Sequence, residues 1–139
     1  MSSAVPYAKA NLLAICVEAL PDVQVTWGYP GQLIESECLW LDDAVGTERP
    51  SIGQVSHREK FTIPVVVMVH AQGDDHQSAE ERAWQLVAAV EAAVLAHPSL
   101  NGAQGVTAAY VTGKTPEGHI ADAARAVSIV VEVTVESKV

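Results

Sequence analysis

The stretch Glu59-Lys-Phe-Thr-Ile-Pro-Val-Val-Val-Met-Val-His-Ala71 decides the fold class. Phe61, Ile63, Val65, Val67 and Val69 occupy every second position, the side-chain period of a β-strand, and so share one face. At ~3.3 Å per residue a strand over 59–71 reaches ~40 Å. A compact domain of this length has a radius of gyration near ~14 Å, so the strand crosses nearly all of it. Such a strand either pairs with something beyond its own neighbours or ends short of this length. Pro64 has no N–H for a ladder, which predicts an edge, a bulge or a non-bonded position.

Downstream, Gly73-Asp74-Asp75 reads as a turn. Ser78 with Glu81 has the spacing of a capping box, opening a helix over 79–97 that Pro98 ends. Its apolar residues, Trp84, Leu86, Val87, Val90, Val94 and Leu95, cover more than one face, so either a sheet wraps the helix or a partner meets it. A modest strand follows at 105–112, then a loop at 114–123. The closing strand at 126–136 points Val127, Ile129, Val131, Val133 and Val135 inward. Upstream, residues 7–20 have helical spacing between Pro6 and Pro21. Strands are predicted at 22–29, before the turn Tyr29-Pro30-Gly31, and at 36–42. The second has Leu39 and Leu41 on one face, with Cys38 and Trp40 on the other. Residues 43–58 are polar and aperiodic and are expected to form a loop, mobile in an isolated subunit. The prediction is a single α+β domain over 1–139, a mostly antiparallel sheet of about five strands packed with two main helices.

Composition narrows the function. The chain has 139 residues, 49% hydrophobic, and a net charge of −9 from 17 acids and 8 bases. Scattered bases on an acidic chain argue against a nucleic-acid grip, which needs a clustered basic face. Cys16 and Cys38 lie in apolar patterns and read as buried free thiols. The first residues lack a signal-peptide pattern, and no run reaches the ~20 apolar residues of a membrane span, so a cytosolic chain is expected.

No motif carries catalysis. Thr112-Gly113-Lys114-Thr115 resembles the end of a phosphate loop, but Ala108 stands where its first glycine belongs and Pro116 follows, so a hairpin loop is favoured. His70, Asp74, Asp75 and His76 form the best cluster for a metal, yet polar residues are ordinary at a strand end, and no metal or cofactor is assigned. A nucleophile elbow is absent. Glu35 and Glu37 share a strand face and read as acids that discourage edge pairing. Trp27 and Trp84 fit core positions. Trp40 shares a face with Asp42, which makes it a candidate anchor, although core is favoured for it too.

The order of parts is an opening helix, the short strands Val23 to Trp27 and Cys38 to Leu41, a polar loop, and the strand quoted above. Then come Ser-Ala-Glu-Glu-Arg-Ala-Trp-Gln-Leu-Val-Ala-Ala-Val-Glu-Ala-Ala-Val (78–94) and a closing strand pair. Over nearly its whole length this resembles the tail terminator proteins of long-tailed phages, the lambda-like minor tail proteins. The resemblance implies a homohexameric ring in the virion's tail neck, assembled in the host cytoplasm. That ring caps the tail tube, ends its growth and presents the surface for head attachment. It implies no enzyme activity. Its partners would be further copies of the chain, the tail tube protein and the head–tail connector protein. DNA would pass through the channel without specific binding, and no membrane is involved. The loop 43–58 and the strand edges become contact regions, with Trp40, Asp42, Asp43, Arg49, His57 and Arg58 as candidate interface residues. Two rival readings are another neck component, such as a head–tail connector or completion protein, and a small-ligand-binding α+β domain with a site near His70.

Overall fold

The computed structural model describes residues 3–31, 36–48, 51–52, 56–70, 75–121 and 124–138. In chain order they form α1 (Val5–Ala19), β1 (Gln24–Thr26), β2 (Glu37–Leu41), β3 (Val45–Glu48) and β4 (Ser51–Ile52). These are followed by β5 (Ser56–His70), α2 (His76–Ala96), β6 (Val106–Ala121) and β7 (Ala124–Lys138). The main sheet order is β1-β2-β5-β7-β6, with β3 and β4 also pairing to β5. Only β1 and β2 run parallel among the described pairs. The α+β class and the two helices are as the sequence predicts.

β5 is the spine of the sheet. Along one edge, β7 pairs with it from Arg58↔Lys138 to His70↔Ala126. Along the other, β2, β3 and β4 lie end to end, at Leu41↔Val65, Val45↔Thr62, Glu48↔Lys60 and Ser51↔His57. The long strand therefore finds its partners inside the chain, and its length needs no outside one. Pro64 sits at the break between β2 and β3. The Asp42 N–H donates to the Pro64 carbonyl at 2.8 Å. The return bond would need the N–H that proline lacks, so the β2 ladder stops there.

Several expectations are corrected. The span 43–58 is not one loop: β3, β4 and the start of β5 occupy its described part. Strands of four and two residues are too short to show a period, and Gly46 at φ 67 interrupts the first. Residues 49–50 and 53–55 lie outside the described residues. The span 114–121 belongs to β6, paired with β7 through Ala121↔Ala124, and not to a loop. Its phosphate-loop-like residues are strand, with a register shift between Val111 and Gly113. That shift puts two consecutive residues against one partner, a bulge that hides the alternation. The cap of α2 is Asp75, whose side chain accepts from the Ser78 N–H at 3.1 Å, so Ser78 is inside the helix.

Both helices pack on one face of the sheet. Leu12, Ile15 and Cys16 of α1 and Leu86, Val87, Val90 and Val94 of α2 meet the inward valines of β5 and β7, with Leu39 and Leu41 of β2. Burying each such side chain fully is worth about 1.5–3 kcal/mol. The breadth of apolar residues on α2 is largely used by the sheet below and α1 beside it. Trp84 and Leu95 are the exceptions, 37% and 84% exposed. Trp84 is thus not the core residue its spacing predicts. The helix-free face grades along the strands. It runs from a small buried cluster of Cys38, Trp40 and Val66, through the bonded hydroxyls of Thr62, Thr134 and Thr112, to charged Arg58, Lys60 and Lys138.

Candidate assembly interface

β1 ends at Thr26, one residue before Trp27. Trp27 therefore escapes the ladder that its alternation with Val23 and Val25 predicts, and lies 46% exposed at the β1 flank. This corrects its expected core position. Beneath it, Lys9 of α1 is only 5% exposed. Its ammonium lies 4.5 Å from the Trp27 ring centroid and 4.0 Å from Asp43 Oδ1. A cation over an indole face is attracted by the ring quadrupole, which offsets part of the cost of burying the charge.

At the end of β2, Trp40 is buried on the helix-free side of the sheet. Its indole N–H donates to Asp42 Oδ1 at 3.1 Å, and Tyr29 packs edge-on against it with centroids 5.2 Å apart. Lys9, Trp27, Tyr29, Asp42, Asp43 and Val45 line a cleft of about 470 Å³. Two carboxylates against one ammonium leave it one negative charge. Asp42, Asp43, Trp27, Tyr29 and Val45 are all exposed. Exposed aromatics beside exposed carboxylates offer stacking area and acceptors together, a chemistry suited to a cationic or amphipathic partner group.

Three of the six residues selected from sequence, Trp40, Asp42 and Asp43, are thus brought together. Arg58 is not among them. It is exposed on the helix-free face of β5, directly opposite Lys138 and two positions from Lys60. His57 pairs with Ser51 through the strand backbone, and its side chain lies outside the described part. Arg49 lies outside the described residues. Lys9, Trp27 and Tyr29 were not selected. A single base beside the buried stripe of a helix was the available signal for Lys9, and the neighbouring Pro30-Gly31 turn the signal for Tyr29.

Other candidates resolve into structural roles. Glu37 is no edge guard: Arg82 grips it through Nε at 2.7 Å and Nη2 at 3.1 Å, tying α2 to β2. That hydrogen-bonded carboxylate raises the Arg82 pKa above its ordinary value. Cys16 and Cys38 are free and buried, as expected. Among the described residues no three His, Cys, Asp or Glu side chains are grouped to hold a metal, and Asp74 of the expected cluster lies outside them. A second hollow, about 330 Å³, opens between α2 and the outer strand β6, lined by Leu95, Pro98, Tyr110 and Val111.

No protein-family model matches the chain. No curated protein matches it. Among solved structures, a chain in the virion of a native gene transfer agent particle is similar, with a TM-score of 0.54 at 14% identity. The match covers 98% of this chain and 100% of that one, so what the two share is the fold over nearly their whole lengths.

Proposed function

We propose that the chain is a structural protein of a phage-like virion, a ring subunit that caps the tail tube. In this role it ends tube growth and offers the surface to which the filled head attaches. The observation that carries the reading is the end-to-end fold match to a chain of a gene transfer agent virion. The order of elements in the sequence, which resembles the tail terminator family, supports it independently. The mechanism is surface complementarity with no chemical step: copies meet one another, the tube protein and the connector. A net charge of −9 suits a channel that DNA crosses without sticking.

Negative-stain imaging of the purified chain, alone and mixed with tail tubes, tests this. Rings of six with a central hole, or added density at one tube end, are expected. Particles that remain monomers or dimers beside uncapped tubes would overturn it. Binding to the head vertex in place of the tube would make the chain a connector or completion protein.

A further inference from the structure

Of the chain's eight bases, Arg49 and Arg125 are not described at the side-chain level. Three others are engaged: Lys9 with Trp27 and Asp43, Arg82 with Glu37, and Lys114 with Glu91 at 2.9 Å. The remaining three, Arg58, Lys60 and Lys138, make no ion pair among the described residues and collect in a corner where β5 begins and β7 ends, at one end of the sheet's middle strands. They line a hollow of about 410 Å³ with Glu59, Thr107, Glu136 and Ser137, three bases against two acids. Arg58 and Lys138 are direct partners in the β5–β7 ladder, and all three side chains are exposed. Like charges directly opposite on one sheet face destabilise the pair, so Arg58 against Lys138 gains nothing within one copy, whereas Lys60 stands opposite Glu136. The cleft of opposite sign lies at the β1–β2 flank, on the other side of β5 from β7.

We propose that the Arg58–Lys138 corner of one copy docks into the Trp27–Asp43 cleft of the next, so that each copy completes its neighbour's cleft. The inference rests on the ring reading and names the surfaces that build it. Charge selects the occupant: the cleft carries one net negative charge, and the corner's three bases against Glu59 and Glu136 leave it one positive charge, with Arg58 and Lys138 making no ion pair among the described residues. A guanidinium also fits the chemistry of the cleft, stacking on an exposed aromatic ring while its N–H groups reach the paired carboxylates. Unlike patches meeting by a repeated rotation make a head-to-tail contact, which forms a ring where the rotation closes.

The test uses charge reversal in the full chain. The cleft variant carries Asp43→Lys with Asp42→Asn, the latter keeping an acceptor for the Trp40 indole. The corner variant carries Arg58→Glu with Lys138→Glu. Light scattering after size exclusion should show each variant assembling about tenfold more weakly or worse than wild type, with circular dichroism unchanged. A chain carrying all four substitutions should recover assembly, because the reversed patches again attract. Variants that assemble like wild type would overturn the docking while leaving the ring reading standing. Loss in both without recovery in the combined chain would overturn it too. A wild-type chain that forms no assembly, alone or on tubes, would end the ring reading and this inference with it.

Discussion

Glu59 carries a carboxyl group yet is only 3% exposed, and its hydrogen-bond partners explain why that is tolerated. The N-cap of α1 is Ala4, which has no side-chain acceptor of its own. Glu59 reaches across from β5 to accept from the Ala4 N–H at 3.0 Å and from Ser3 Oγ at 2.8 Å. A carboxylate at a helix N-terminus also meets the positive end of the helix dipole. Replacing Glu59 by Ala should lower stability by about 1.5–3 kcal/mol, read from a urea midpoint, because charge-assisted bonds are lost together. Leu100 is another such residue: fully buried, with φ 52, and its carbonyl accepts from Asn11 Nδ2 at 2.9 Å. A leucine with positive φ is held there by packing. The two thiols make a pH prediction. Burial pushes Cys16 up from 9.0 to about 12 and Cys38 to about 11. In the unfolded chain both ionise near 9.0, so above that pH the unfolded state has lost protons that the folded state keeps. Stability should hold below pH 9 on this account and fall as pH rises toward 11 and 12. Thiol reagents should label neither cysteine in the native chain at pH 8, and both after denaturation.

Among the elements, the ones readable in advance are those buried on one face over many residues. The inward valines of β5 and β7 alternate without interruption, and α2 shows its helical period for five turns. What misled was interruption. Trp27 continues an alternation that the ladder leaves at Thr26, the bulge after Val111 breaks the period of β6, and β3 and β4 are shorter than any pattern. Short strands are held by the strand beside them, and that neighbour is chosen only on folding. Arg82 and Glu37 show the same dependence, since 45 residues separate the pair. Their side chains are 42% and 25% exposed, so solvent screens the pair. Arg82→Ala should cost about 1 kcal/mol, and Arg82→Lys should recover only part of it, because an ammonium cannot reproduce the two-pronged contact. Thermal unfolding of the two variants side by side would read the difference.

At the scale of the whole molecule, two helices cover one face of a sheet, and the other face carries a graded surface from the apolar Trp40 cluster to the basic corner. Two surfaces are chemically unlike: the β1–β2 flank is acidic and aromatic, and the end of the sheet where β5 starts and β7 finishes is basic. If these surfaces meet, assembly should weaken as salt rises, because exposed ion pairs are screened beyond a Debye length of ~8 Å at physiological ionic strength. Sedimentation at 50 mM and 500 mM salt would check this. Assembly that strengthens with salt would point to the apolar ridge of Trp84 and Leu95 as the contact.

The sequence by itself determined the α+β class, the spine strand, both helices and the buried state of the thiols. Each of these rests on local periodicity or on composition, which need no knowledge of distant residues. It also marked Trp40, Asp42 and Asp43 as residues to watch. Only the tertiary structure decided that Lys9, eighteen or more residues from every other cleft residue, lies under Trp27 beside Asp43. It alone set Arg58 against Lys138, 80 positions apart in the chain, and used the length of β5 for partners within the molecule. Those outcomes depend on strand register, which is fixed by the packing of one whole face against the helices and not by any segment alone.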